Sequence, residues 1–427
     1  MSVLIKGALV ITQDEKRSIG TKDIFCNDGR IEEIDDRVAV EASYVLKGNT
    51  LVMPGLINTH THLPMVLMRG YGDDLPLERW LTEKIWPIEQ KLNADLVAAG
   101  TRLAVLEMMA SGTTCLADMY FFEDTIAQVC QEMGMRAFPG FSIIDFDTAE
   151  MAKEKMLPAC EIFLQRWHRD ELIKPVVAPH SAYSCSPETL SASAELAQSY
   201  DAYLHTHCSE TRQEIYDIVN QYGCRPLEQL NRTGVLTDHT ILAHCGWITK
   251  AEVKTIAQTG ACVSHNPISN MKLATGGFTP LPELFAAGAT VSLGTDGAAS
   301  NNSLDMLEIM KYAALIHKHH RWDATAVSAQ ETLDMATVNA ANFLKLDTGI
   351  REGAKADLTI LDLMAPGLNP LHNPVSQVVY AAQGSHVSST IINGTPVMLE
   401  RSFPTLEAQT IIIEAQQAAA KLIDACQ

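Results

Sequence analysis

The chain belongs to the α/β class, with a (β/α)8 TIM-type barrel inserted in a small β-sandwich domain formed by the N- and C-terminal segments. Three features point to this. Eight short β-rich runs recur between about residues 56 and 300, with helical spacing between most of them; alternating strand and helix builds a parallel sheet, and eight units can close it into a barrel. Both ends of the chain instead alternate apolar and polar residues around Asn/Asp/Gly turns, the texture of hairpins. Most of the eight runs also end in a polar residue, and a barrel would point such residues toward the mouth at its strands' carboxyl ends.

Along the chain, "MSVLIKGALVIT", "DIFCNDGRIEEIDD" and "SYVLKGNTLVMPG" supply the first hairpins. The eight barrel runs follow: "LVMPGLINTH", "TTCLADMY", "MRAFPGFSII", "IKPVVAPHS", "AYLHTHCSE", "TILAHCGWI", "ACVSHNPIS" and "TVSLGTDGA". His60, His62, Asp118, His180, His207, His244, His265 and Asp296 lie near their ends. The insert from Leu63 to Gly112 is longer than one crossover helix requires, and "LERWLTEKIWPIEQKL" within it has helical spacing, so it is expected to cap the mouth. Trp80 and Trp86 read as packing within that lid, although either indole suits a purine face. Late in the chain, "AKADLTILDL" and "QVVYAAQGSHVSSTIINGTPVML" read as further strands that pair with the first 50 or so residues. The expected domains are a sandwich of residues 1–55 and 352–404, a barrel of 56–351, and a C-terminal helix of 405–427 that serves packing.

Composition narrows the function. A chain of 427 residues can bury a large core. Its formal charge of −19 opposes nucleic acid and anionic lipid, leaving a small molecule as the expected partner. No run approaches the roughly 20 apolar residues needed to cross a bilayer, and the start "MSVLIKGALVITQDEKRSIG" has acids where a signal peptide needs a cleavage site, so a soluble cytoplasmic protein is expected. The ten cysteines lack CxxC spacing and read as reduced thiols, with Cys245 a core residue and not a nucleophile.

The histidines suggest the chemistry. Residues two apart on a strand share a face, so His60 and His62 of "NTHTHL" can address one atom. A lone HxH also occurs as ordinary polar residues at a strand end. With His207 ending another strand and Asp296 following the last, three imidazoles and a carboxylate can surround one divalent ion and leave room for a water. His244 and Glu210 are the acid and base candidates beside it. Glu210 also suits a helix N-terminus in "SETRQEIYDIV", and His244 a core position bonded to backbone. In "VSHNPISNMK", His265 reads as a pocket-lining candidate, and Asn266 and Asn270 as supports of the loop's backbone.

The segments "PGLINTHTHLPMVLMRGYGDDLPLERWL", "IWPIEQKL", "APHSAYSCS", "HCSET", "AHCGW", "SHNPISNMKLATGG" and "SLGTDGAASNNSLDMLEIM" resemble, in order, the amidohydrolase superfamily. Within it the chain is most similar to the 5′-methylthioadenosine/S-adenosylhomocysteine deaminases. The resemblance implies His60, His62, His207 and Asp296 as ligands of one divalent metal, Zn2+ or else Fe2+. It implies Glu210, His244 and Asp296 as catalytic groups, and Glu89 and His180, with Glu210, as contacts to a nucleoside. The fourth run ends "VVAPHS" without the lysine that bridges two metals in other members of the superfamily, so a single ion is expected.

The implied reaction is hydrolytic deamination of an adenosine derivative at C6. Members that accept S-adenosylhomocysteine use arginines, partly around the third strand, to pair the amino acid's carboxylate. Here no arginine follows Arg136 before Arg166, and an unpaired carboxylate in a partly buried pocket costs a few kcal/mol. The expected substrate is 5′-methylthioadenosine, with S-adenosylhomocysteine or adenosine secondary. Alternatives are a related enzyme acting on guanine or a halogenated or aminated triazine, and a catalytically silent scaffold on the same fold. A homo-oligomer is expected, as is common for such barrels.

Overall fold

The apolar runs become strands buried along their length, as expected of a parallel sheet covered on both faces. In the computed structural model, which describes residues 2–426, they form one parallel sheet in chain order. Its strands are Leu56–Thr61, Thr113–Tyr120, Arg136–Ile143, Val176–Pro179, Tyr203–Cys208, Thr240–His244, Cys262–His265 and Thr290–Leu293. Every residue of the second and third is buried. Among the described residues the ladder stays open between the first strand and the eighth. Polar groups bridge that seam: Thr59 Oγ1 donates to the Leu293 carbonyl at 3.0 Å, Thr295 N–H to Asn58 Oδ1 at 3.1 Å and Asp296 N–H to the His60 carbonyl at 2.9 Å. The last of these brings two predicted metal ligands together.

The insert after the first strand folds into short helical turns and the long helix Ala94–Ala110, capped by Asn93, whose side chain accepts from Leu96 N–H at 3.0 Å. The predicted lid helix spans Leu77–Glu89, with a π-turn over Leu81–Ile85 in the middle. Pro87 lacks an N–H and its ring crowds the carbonyl four residues back, so the ladder widens there, and Trp86 N–H reaches the Leu81 carbonyl. The C-terminal helix Ala408–Asp424 buries Ile411, Ala415, Ala418 and Leu422 on one stripe and packs on Ala94–Ala110.

The two chain ends share a second sheet, ordered Thr395–Met398, Val387–Ile392, Leu358–Asp362, Thr50–Pro54, Ser2–Ile11, Ile19–Asn27 and Arg30–Asp35. It has its own core around Val3, Ile5, Ile24, Val52, Leu358 and Ile360. Hairpins alone do not describe it. Tyr44–Lys47 and Thr50–Pro54 both run parallel to Ser2–Ile11, which changes partner at a bulge where Gly7 has φ of 63°. Positive φ suits glycine, and the bend divides one strand between two neighbours. The run "QVVYAA" also departs from expectation. Pro374–Tyr380 is a helix, because Asn373 caps it and Pro374 presets its first turn, which outweighs the β-branched composition.

Arg136, at the base of the third barrel strand, reaches Asp357 with Nε–Oδ2 of 2.9 Å and Nη2–Oδ1 of 3.2 Å, both side chains buried. This pair ties the barrel to the second sheet. No helix among the described residues is long and apolar enough to cross a membrane.

Candidate functional site

His60 and His62 end the first barrel strand on one face, and His207 ends the fifth. Asp296 follows the eighth in a left-handed conformation, φ 61°, which turns its carboxylate back across the open seam. His62 Nε2 stands 3.1 Å from Asp296 Oδ1 and His60 Nε2 3.5 Å from it. The possible ligand atoms of His60, His62 and His207 lie within 4.8 Å of one another, as do those of His60, His244 and Asp296. Gly294 permits this approach, since a Cβ there would stand 2.8 Å from the His60 Cβ and 2.4 Å from Asn266 Oδ1.

Each imidazole has its far nitrogen engaged, which leaves Nε2 turned inward. His62 Nδ1 donates to the Met119 carbonyl at 2.5 Å and His207 Nδ1 to the His180 carbonyl at 2.8 Å. His60 Nδ1 lies 2.9 Å from His205 Nε2. His60 Nε2 is buried without any hydrogen-bond partner, an arrangement that costs stability unless a cation takes the lone pair. Burial pushes the His60 pKa down to about 3 and that of His207 well below its ordinary value, so both offer neutral nitrogens. Burial opposes charge on His62 too, but Asp296 beside it and the Met119 carbonyl raise its pKa to about 9, so a cation must displace a proton there. Burial alone would raise Asp296; the imidazoles of His60 and His62 beside it hold it well below the usual carboxylate range. A borderline-soft divalent ion fits this set of nitrogens and oxygen.

His207, His244, Glu210 and Asp296 open onto one cavity beneath the lid, which Glu89, Trp80 and Trp86 also line. Glu210 lies outside the helix that follows it. Thr211 is the cap of Arg212–Tyr222, and the Glu214 carboxylate accepts the Ser209 and Glu210 N–H groups at 2.8 and 2.7 Å. The Glu210 side chain is thereby left for the cavity, with Oε2 3.8 Å from His244 Nε2. Burial raises its pKa, with His244 pulling the other way.

His244 and Cys245 both adopt positive φ, 72° and 52°. His244 Nδ1 donates to Asn270 Oδ1 at 2.8 Å, so Asn270 orients the ring instead of only supporting its own loop. Ser269 Oγ donates to Asp296 Oδ2 at 2.5 Å. Glu89 accepts from Tyr120 OH at 2.7 Å; burial raises its pKa to about 7, while Tyr120 and His62 pull it down. His180 lines the cavity as a neutral ring, pushed to about 3 by burial, with Nδ1 2.8 Å from Ser184 Oγ.

Three of the eight strand-end residues do not line this cavity, and of these His60 lies buried beneath it among the ligand candidates. Asp118 is fully buried, its Oδ1 accepting Leu63 N–H at 2.6 Å. His265 is 3% exposed and turns away from the cavity toward His317, 3.2 Å between their Nε2 atoms, so it is not a pocket residue. Sequence reasoning also passed over His205, Tyr120 and Ser269. A signal for His205 exists, because "HTHC" repeats the HxH spacing of "HTHL" and so places it on the same strand face as His207.

Residues 51–397 match the model of the amidohydrolase family. A 5′-deoxyadenosine deaminase of Methanopyrus kandleri is 40% identical over 431 residues, spanning 99% of each chain. A 5-methylthioadenosine/S-adenosylhomocysteine deaminase of Aquifex aeolicus is 38% identical over 426 residues, 99% of this chain and 97% of that one. Among solved structures, an adenosine deaminase from Xanthomonas campestris with bound zinc is similar with a TM-score of 0.95 and 36% identity, covering 99% of this chain and 98% of the other.

Proposed function

The chain belongs to the amidohydrolase family, and from that premise we propose that it is a zinc-dependent deaminase of 5′-modified adenosines, converting 5′-methylthioadenosine to 5′-methylthioinosine and ammonia. What supports this is the convergence, at one cavity, of two overlapping three-residue groups of ligand candidates that share His60, a carboxyl acid raised by burial and a second acid set apart for the sugar.

His60, His62, His207 and Asp296 would hold the ion. A divalent cation lowers the pKa of bound water from 15.7 toward about 7, making hydroxide available at neutral pH. Asp296, oriented by Ser269, accepts the proton that the attacking water gives up. Glu210 protonates the purine N1 as C6 becomes tetrahedral, which keeps negative charge off the ring. His244, its Nδ1–H anchored on Asn270, presents Nε2 as an acceptor to the hydroxyl at C6 and holds that oxygen in position. The proton held by Asp296 passes to the amine, ammonia leaves, the C6 hydroxyl proton returns to Glu210 to restore the acid, and the ring regains aromaticity as the 6-oxo product. Glu89 accepts the ribose hydroxyls and His180 approaches the sugar from the opposite wall, which favours a nucleoside over guanine or a triazine.

The 5′ group meets a neutral wall. Among the described residues no Arg or Lys lines the cavity, and Arg136 is committed to Asp357. A thioether or methyl group suits such a wall, whereas a homocysteine carboxylate would lie there without a partner. 5′-Deoxyadenosine fits equally well by this criterion, with adenosine and S-adenosylhomocysteine poorer.

The test is ammonia release, and the ultraviolet change from adenine to hypoxanthine, on these four nucleosides with and without a chelator. Turnover abolished by chelation and restored by Zn2+ or Fe2+ is expected, fastest with a neutral 5′ group. A lead for S-adenosylhomocysteine would overturn the substrate assignment, and no turnover of any adenosine would overturn the function.

A further inference from the structure

His244 performs its role from a backbone that an L-residue adopts reluctantly, and Cys245 repeats the strain. Such conformations persist where the surroundings over-determine them. Behind His244, on the side away from the cavity, runs a buried chain of hydrogen bonds. Thr279 Oγ1 donates to the His244 carbonyl at 2.8 Å. His265 Nδ1 stands 3.1 Å from Thr279 Oγ1, and His317 Nε2 3.2 Å from His265 Nε2. Thr279, His265 and His317 are 1%, 3% and 0% exposed.

Proton counting fixes the direction of this chain. The Thr279 hydroxyl has one hydrogen and spends it on the His244 carbonyl, so His265 Nδ1 is the donor to Thr279. His265 Nε2 is then bare and must accept, and His317 Nε2–H is the donor that faces it. His317 Nδ1 is left bare and has no partner. His317 belongs to the helix Met306–Arg321, beyond the eighth strand, and Phe278 packs on its ring at 4.5 Å between centroids. The chain thus runs from an outer helix, through the seventh strand, to the end of the sixth.

We propose that Thr279, His265 and His317 are positioning residues, a directional strut that holds the left-handed backbone of His244 so that its Nε2 stays aimed at the reacting oxygen. Burial keeps both strut imidazoles neutral, which the one-way pattern requires. The kinetic part of the test rests on the deaminase assignment; the spectroscopic part does not.

Thr279→Val keeps the shape and removes the hydroxyl. It should lower kcat about tenfold or more, with KM and metal content within about twofold of wild type, and Thr279→Ser should recover most of the loss. A folded, metal-loaded Thr279→Val with kcat within twofold of wild type would overturn the proposal, as would Thr279→Ser failing to recover. Imidazole 15N spectra of the wild type, assigned with His265→Asn and His317→Asn, should find His265 protonated at Nδ1 and His317 at Nε2. The opposite tautomer of His265 overturns the strut even if Thr279→Val does not fold. A wild type that turns over no adenosine, with the tautomers as stated, would remove the deaminase assignment and leave the strut standing.

Discussion

His62 Nε2 lies 3.1 Å from Asp296 Oδ1, so the first and last barrel strands face each other through two metal-ligand candidates where, among the described residues, their ladder is open. Asp296→Ala removes the only carboxylate of the cluster and leaves the imidazoles to hold the ion alone. The expected outcome is a folded protein that retains little metal and has no measurable turnover, checked by elemental analysis beside circular dichroism.

His205 carries no ligand atom to the cluster, yet its Nε2 at 2.9 Å sets the orientation of His60. Partners of this kind alter metal affinity by about 10- to 100-fold when removed. His205→Leu should therefore weaken metal binding by that factor in a competition titration with a chromogenic chelator. An unchanged affinity would show that packing alone holds the His60 ring.

Glu210 is a proton carrier in the proposed reaction and no ligand. Glu210→Gln should keep its metal and lose about 10²- to 10⁴-fold in kcat. Loss of metal from that variant would mean that its role has been misassigned.

The Glu89 carboxyl has a pKa raised to about 7 by burial, against the pull of Tyr120 and His62. Above that pH it is an acceptor-only carboxylate suited to two ribose hydroxyls; as pH falls through it, a proton occupies one oxygen and acceptor capacity is lost. KM should rise as pH drops from 8 to 6. Glu89→Gln should show a high KM without that dependence, read from initial rates across the range.

The Arg136–Asp357 pair is buried on both sides and Asp357 Oδ1 also accepts Asn393 N–H at 2.6 Å. Removing one partner strands a buried charge, at a cost of about 3–5 kcal/mol. Asp357→Ala should lower the urea midpoint accordingly, while the metal content of the folded fraction stays intact because the pair lies at the opposite end of the barrel strands.

Local pattern settled a good deal of this protein. The eight barrel strands, the lid helix around Trp80 and the packing tail were legible because strand and helix periods depend on neighbours a few residues apart. The HxH spacing of His60 and His62 is likewise a property of one strand, the strand-end pattern offered His207, His244, Glu210 and Asp296 as candidates, and the family resemblance gave them roles. The direction of a side chain past a strand's end was not legible. His265 and Asp118 end their strands much as His244 does, yet one turns to His317 and the other into the Leu63 turn. The partner change at Gly7, the helix at Pro374–Tyr380 and the commitment of Arg136 to Asp357 were equally hidden. Local periodicity says which residues share a face. Which distant group completes a hydrogen bond or an ion pair depends on the assembled barrel and the second sheet, because those contacts join segments that meet only once the whole chain has folded.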